Sequence, residues 1–230
     1  IIYNPVTKYY YLFLAYDELS VAYNTRVARS KTITGPYLGS DGQNITNGAE
    51  CWPMLTHPYA FNNHTGWVGI SHCGVFQNPD TKQWYYTSQG RLPEGVPGIN
   101  VSNAIMMGHV REILWSEDGW PVVMPERYAN VPQLALNAAA VAGEYEVIVV
   151  EYQYKAIQKP VTLRVFSNGT ASGAFTGQWT LDIEKKVLQI GNQKLIVRDG
   201  YNWEGTPRKA TLILSGLTSA GRPVWGKMVR

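Results

Sequence analysis

The sequence predicts an all-β protein in two parts, a repeated β unit followed by a small antiparallel barrel or sandwich. Three observations carry the prediction. Ile2-Tyr3-Asn4-Pro5-Val6-Thr7-Lys8-Tyr9-Tyr10 returns 74 residues later as Phe76-Gln77-Asn78-Pro79-Asp80-Thr81-Lys82-Gln83-Trp84-Tyr85-Tyr86. Helical periodicity is nearly missing, and short apolar runs are broken by Gly, Pro, Asn and Asp. From Gly143 onward the runs lengthen and alternate more cleanly, with Asn168-Gly169 as a tight hairpin signal.

Each repeat reads as an apolar strand, an Asn-Pro-x-Thr-Lys corner and an aromatic strand. Pro fixes φ at the first central turn position, while Asn and Thr side chains can bond the backbone two residues on. A unit returning at a fixed interval marks modular β architecture, and 74 residues exceeds the roughly 40–50 of a compact propeller blade, so long loops must separate the strands. The first copy begins at Ile1, which leads to the expectation that the chain is the later part of something larger.

In chain order, strands are expected over residues 9–16, 25–30, 67–71, 84–88 and 104–115, with Asp118-Gly119 turning the chain into Trp120-Pro121-Val122-Val123. Residues 132–142 read as a linker or a short turn of helix. Further strands follow over 144–154, 161–166, 178–183, 187–190, 194–197, 209–214 and 224–229. So many antiparallel strands in so short a span favour closure, because closure removes unpaired edges. The expected units are residues 1–130 and 138–230.

Composition bounds the function. The hydrophobic fraction of 45% with 16% charged residues is that of an ordinary globular protein. The net charge of +3 is small, and no run of Lys or Arg points to nucleic acid. No apolar stretch approaches the roughly 18 residues of a membrane span. Fifteen Tyr and eight Trp stand against five Phe; these amphipathic rings suit pleated sheets and sugar-stacking surfaces alike. Cys51 and Cys73 lie outside metal spacings and read as buried thiols or as a pair formed in an oxidising compartment. Asn-x-Ser/Thr triplets start at Asn44, Asn63, Asn100 and Asn168, and matter only on a eukaryotic secretory route.

No self-contained catalytic set is visible. There is no G-x-S-x-G and no Cys-His arrangement. Asp80 and Asp118 sit in turns, Glu112 and Glu117 are expected to face water, and Asp17-Glu18 either orders its loop or lines a cleft. His57 and His64 fall in a Pro/Asn-rich loop and are expected to be solvated, whereas His109 lies in an apolar strand with a structural role. His72 ends an apolar run just before Cys73-Gly74 and the second repeat, where a loop-lined site would lie.

Three strings carry a resemblance: Tyr23-Asn24-Thr25-Arg26-Val27-Ala28-Arg29-Ser30 with Thr34-Gly35-Pro36-Tyr37; His72 ahead of the second repeat; and Trp115-Ser116-Glu117-Asp118-Gly119-Trp120-Pro121-Val122-Val123 with Pro125-Glu126-Arg127-Tyr128. Together they resemble the arabinanases of glycoside hydrolase family 43 over residues 1 to about 128, and the later part looks like the β-barrel appendage of larger members. The resemblance implies a five-bladed β-propeller of which this chain would hold the last blades, cleaving α-1,5-linked arabinan with inversion. Inversion needs a general base on water and a general acid on the leaving oxygen, roughly 6.5–9.5 Å apart. In the family these carboxylates, and a third that tunes the acid, lie in earlier blades, so a separate N-terminal propeller fragment is the implied partner and the implied compartment is secreted or periplasmic. His72 matches the histidine near the propeller axis that helps hold a calcium ion, mostly through waters, although Gly69-Ile70-Ser71-His72-Cys73 departs from the family's Gly-x-Gly-His-Asn. Tyr23 matches a residue lining the sugar cleft, with Asn24 and Arg26 beside it; Arg26 reads equally as a strand-stabilising cation.

Two other readings stay open. One is a non-catalytic carbohydrate-binding module with Trp179, Trp203 and Trp225 as stacking platforms, at least two of which core packing would instead claim. The other is the same fold acting as an arabinofuranosidase or xylosidase.

Overall fold

A computed structural model describes every residue except 20, 21, 49, 99, 101, 103 and 230. The first repeat opens a four-stranded antiparallel sheet of β1 (Ile2–Asn4), β2 (Tyr9–Tyr16), β3 (Asn24–Ser30) and β4 (Met54–Thr56), in that order. The second opens another, made of β5 (Gly74–Gln77), β6 (Trp84–Gly90), β7 (Met107–Trp115) and β8 (Pro121–Val123).

The two corners fold alike. The Asn4 Oδ1 accepts the Val6 backbone N–H at 2.9 Å, and the Lys8 N–H reaches the Asn4 carbonyl at 2.8 Å. The Asn78 Oδ1 accepts from Asp80 at 2.9 Å and Thr81 at 3.0 Å, and the Lys82 N–H reaches the Asn78 carbonyl at 3.0 Å. Lys8 and Lys82 both turn through the left-handed region, at φ of 57° and 60°. Behind each corner the aromatic strand buries one tyrosine completely, Tyr11 in β2 and Tyr86 in β6. Those rings meet Val27, Leu55, Ile113, Trp120 and Val123 in a core shared by both sheets.

After an irregular stretch, a single helical turn α1 (Ala138–Val141) is capped by Asn137, whose side chain accepts the Ala140 N–H at 2.8 Å. Eight antiparallel strands then close a barrel: β9 (Gly143–Val149), β10 (Val161–Val165), β11 (Thr170–Gly173), β12 (Gly177–Asp182), β13 (Val187–Ile190), β14 (Gln193–Asn202), β15 (Lys209–Leu217) and β16 (Pro223–Met228). Closure runs through β16 pairing with β9, so the barrel leaves no free edge. Inward Val, Leu, Ile and Tyr side chains fill it, among them Tyr145, Leu163, Leu188 and Leu214.

The barrel is docked, not tethered. Trp225, Ile148 and Val150 from the barrel share one buried cluster with Trp52, Met54, Tyr59, Phe61, Trp67 and Ile70. The Trp225 indole N–H donates to the Val123 carbonyl at 2.9 Å, as does the Ser215 hydroxyl.

The all-β class is as expected, and of the barrel or sandwich expected for the later part the barrel is formed, with local differences. Residues 67–71 form isolated bridges, Trp67 to Tyr59 and Val68 to Arg91, because Gly66 and Gly69 at φ of 99° and 70° break the extended run. The short β4 and the small-residue β11 carry too little apolar pattern to be read as strands. The cysteines do not pair: Cys51 packs beside Ala28 and Tyr37, and Cys73 joins the core between the sheets. Burial pushes the Cys51 thiol up to about 12, so it is an inert apolar group.

Candidate functional site

Strand register brings the singled-out residues to one edge. Tyr16 faces Asn24, Thr25 faces Thr56, and Gly74 faces Thr87, so the end of β2 and the starts of β3 and β5 lie together, away from the corners. A buried set of hydroxyls ties this edge across both sheets. The Thr25 Oγ1 lies 2.8 Å from both the Ser71 Oγ and the Tyr86 OH. Ser71 in turn donates to the Asn24 carbonyl at 3.0 Å, and Thr56 donates to the Ile70 carbonyl at 2.6 Å. The next residue, His72, is held at φ of 54° with its side chain exposed, so the buried Ser71 anchor projects an imidazole into solvent.

Tyr23 is half-buried at the same edge, while Asn24 and Arg26 are enclosed, at 0% and 2% exposure. The Asn24 amide donates to Asp17 Oδ2 at 2.8 Å and to the Ala22 carbonyl at 2.8 Å, and its oxygen accepts from Arg26 Nε at 3.0 Å. The Arg26 guanidinium sits among the rings of Tyr16, Trp52 and Tyr152, 4.7–5.2 Å from their centroids. Its Nη1 is buried without a partner. In this geometry Asn24 and Arg26 shape the loop, and Tyr23 and His72 face outward.

The barrel reaches this edge through the segment after β9. Tyr152 donates to Asp17 Oδ1 at 3.2 Å, Tyr154 donates to Glu18 Oε2 at 3.1 Å, and the Gln153 N–H donates to His57 Nε2 at 3.3 Å. Asp17 and Glu18 therefore order a loop and receive the barrel. His57 is not solvated: it is fully buried, with Nδ1 3.1 Å from the Pro58 carbonyl, and burial holds its pKa below the usual imidazole value. His64 is half-buried and stacks on Trp67 at 5.5 Å. His109 is buried edge-on to Trp67 at 4.5 Å, with both ring nitrogens unpartnered and its pKa pushed down by burial to about 3. Trp179 and Trp225 are core residues, and Trp203 is half-buried against Tyr201 and Arg127.

The larger surprise is a buried ionic cluster between sheets and barrel. Lys227 Nζ, 2% exposed, lies 3.1 Å from Glu126 Oε1, 3.5 Å from Glu204 Oε2 and 3.0 Å from Asn202 Oδ1. Glu204 Oε1 accepts from the Trp67 indole at 2.8 Å and from the Tyr59 OH at 3.0 Å. Arg111 donates to that same Tyr59 OH at 2.8 Å and to the Pro125 carbonyl. Burial and the neighbouring Glu204 carboxylate outweigh Lys227 and push Glu126 up to about 7. Glu112 does not face water alone either; it pairs with Arg198 of the barrel at 3.4 Å, and burial raises its pKa. Glu126 stands in a string of the sequence that carried the family resemblance, yet nothing in the spacing pairs it with Lys227, 101 residues away.

These residues do not make a calcium site by themselves. Among the described residues no three His, Cys, Asp or Glu side chains cluster, and calcium prefers several oxygen ligands where His72 offers one nitrogen. No helix among the described residues is long and apolar enough to cross a membrane.

Comparison with known proteins accords with this geometry. The family model of glycosyl hydrolases family 43 matches residues 6–121, and a model described as a C-terminal lipocalin-like domain matches residues 125–226. The chain is 27% identical, over 98% of its length, to extracellular endo-α-(1→5)-L-arabinanase 2 of Bacillus subtilis. It is 28% identical, also over 98% of its length, to extracellular endo-α-(1→5)-L-arabinanase of Thermotoga petrophila. It covers 51% of each, so the chain spans about half the length of these curated relatives. The crystal structure of the family 43 glycoside hydrolase YxiA of Bacillus licheniformis superimposes with a TM-score of 0.82 at 26% identity, covering 100% of this chain and 54% of that one. With the family model covering half of its length, the chain belongs to glycosyl hydrolases family 43.

Proposed function

We propose that this chain is part of an inverting glycosidase that cleaves α-1,5-linked arabinan outside the cytoplasm. Its two four-stranded sheets act as blades of a β-propeller, and its barrel acts as an accessory domain. The observation that carries this reading is the similarity of 98% of the chain to two proteins named as extracellular endo-arabinanases. The repeated corner and the sheet pair built on it support the propeller part.

The edge bearing Tyr23 and His72 is the proposed wall of the sugar cleft. Tyr23 offers an aromatic face and a hydroxyl to a furanose ring, and His72 offers an exposed imidazole nitrogen for hydrogen bonding. Asn24 and Arg26 are positioning residues that fix the loop carrying Tyr23. The general acid and base come from outside this set: Asp17, Glu112, Glu117 and Glu126 are each engaged by structural partners. Inverting hydrolysis needs two carboxylates facing one glycosidic bond across a water, and in our reading an N-terminal propeller portion supplies them.

The test is release of reducing sugar from linear α-1,5-arabinan by this chain alone and mixed with the N-terminal half of the Bacillus subtilis relative, with the anomer of the first product read by NMR. Turnover only in the mixture, with inverted product, is the expected result. Turnover by the chain alone would refute the placement of the carboxylates, and retained configuration would refute the mechanism.

A further inference from the structure

A cavity of about 870 Å3 opens at the junction of the sheets and the barrel. It lies at the opposite end of the strands from Tyr23 and His72. In the second sheet Gly74 and Thr87 pair near His72, whereas Trp84 pairs with Ile113 and Trp115 with Pro121 near the Asn78 corner. The Trp115–Trp120 turn forming one wall therefore sits at the corner end. The first sheet confirms the placement, since the Tyr11 hydroxyl, bonded at 2.9 Å to Thr7 of the first corner, also donates to the Gly119 carbonyl.

The chemistry of the walls selects a ligand class. Trp115, Trp120 and Arg29 come from the sheets; Lys185, Lys194 and the turn after β15 come from the barrel. The cations are already engaged. Glu117 holds Lys185 at 3.0 Å and Lys194 at 2.5 Å. Arg29 lies between the rings of Tyr9 and Trp120, 4.4 and 4.1 Å from their centroids, and donates to the Asp118 carbonyl at 2.6 Å. An anionic ligand would have to break one of these pairs. The remaining lining offers the half-buried Trp115 ring and the edge of Trp120, 7% exposed beneath Arg29, beside exposed neutral polar groups, Ser40, Asn192 and Ser219. Apolar rings beside hydroxyl and amide groups suit a polyhydroxylated neutral molecule with one apolar face. The volume falls within the roughly 300–1,000 Å3 of small-molecule sites. A second cavity beside Glu112 and Arg198, at about 180 Å3, is too small for an oligosaccharide.

We propose that this junction cavity is a second carbohydrate-binding site, taking a segment of neutral oligosaccharide remote from the cleft edge. It depends on the proposed function only for the choice of arabinose oligomers as the probe. Such a site would hold polymer on the enzyme through sheets and barrel together, with Glu117 and its two lysines fixing the walls.

Calorimetric titration of the full chain with α-1,5-linked arabinohexaose, and separately with inorganic phosphate, tests it. Saccharide binding is expected, weakened at least about tenfold by Ser219→Trp, which sets a bulky ring at an exposed lining position of the cavity. Asn192→Ala, which removes one exposed amide, serves as a milder second variant whose weakening is expected in the same direction. No saccharide binding, binding lost in Tyr23→Ala but kept in Ser219→Trp, or phosphate binding that competes with the sugar would each overturn the proposal. If saccharide binds here while the mixed enzyme shows no arabinan hydrolysis, the catalytic reading falls and this site stands. If hydrolysis proceeds without such binding, the reverse holds.

Discussion

Replacing Lys227 by Met removes the cation in direct contact with two buried carboxylates while keeping most of the side-chain volume. The ammonium lies 3.1 Å from Glu126 and 3.5 Å from Glu204. At an effective dielectric of about 20, each contact carries about 5 kcal/mol of gross attraction, most of it offset by desolvation of the three charges. Breaking a buried pair by removing one partner typically costs about 3–5 kcal/mol, because the remaining charge is left uncompensated. For a chain of this size that corresponds to a fall in Tm of about 6–20 °C. Glu126 adds a pH signature. Its folded pKa of about 7 lies above its ordinary value, so its protonated form is favoured in the native state, and its contribution to stability is lost as pH rises through 7. The Lys227→Met penalty should therefore be larger at pH 8 than at pH 5, where Glu126 carries a proton. Lys227→Met combined with Glu126→Gln should recover part of the loss at pH 8. Urea unfolding of the three proteins at both pH values reads the effect. A loss below about 1 kcal/mol, equal at the two pH values, would show that the carboxylates do not depend on this lysine.

Three other outcomes follow from the same structure. His109 has a folded pKa of about 3, below its unfolded value, so its contribution is complete above the unfolded pKa and drains away as pH falls from about 6.5 toward 3; His109→Phe, which sacrifices no hydrogen bond, should flatten stability over that window in acid-titrated unfolding. Asn4→Ala and Asn78→Ala each delete the acceptor that closes a corner, at about 0.5–1.5 kcal/mol per hydrogen bond, and the buried Asn4 should cost more than the half-buried Asn78 in thermal unfolding. His72→Ala should leave Tm unchanged because the imidazole is exposed, yet lower arabinan turnover in the mixed assay; a chelator should likewise leave the Tm of this chain unchanged, since no metal-ligating cluster is found among the described residues.

What could be read from sequence divides along the range of the interactions. The Asn-Pro-x-Thr-Lys corners were legible because their hydrogen bonds join residues two to four apart, and Asn168-Gly169 was legible for the same reason. Alternation in the later strands exposed the barrel, since each inward side chain faces the same core. The burial of His57 is not legible locally, because a Pro/Asn-rich neighbourhood looks solvated, whereas the ring meets residues 152 and 153, almost a hundred positions on. The same holds for Glu112, whose partner Arg198 lies on a barrel strand. The sequence does not decide between two roles for Arg26, because the rings of Tyr16, Trp52 and Tyr152 around its guanidinium come from three separate stretches of chain.

The segment after β9 has a consequence for anyone recombining such proteins. Tyr152, Gln153 and Tyr154 belong to the barrel by connectivity, yet their bonds are to Asp17, His57 and Glu18. A chimera spliced at the irregular stretch before α1 would inherit a foreign strap laid across its own loop edge. Parental compatibility should thus depend less on the splice point than on whether three hydroxyl and amide donors meet two carboxylates and an imidazole supplied by the other parent. Libraries that keep those six positions together should yield folded hybrids at a higher rate than libraries that cut between the family's two sequence modules.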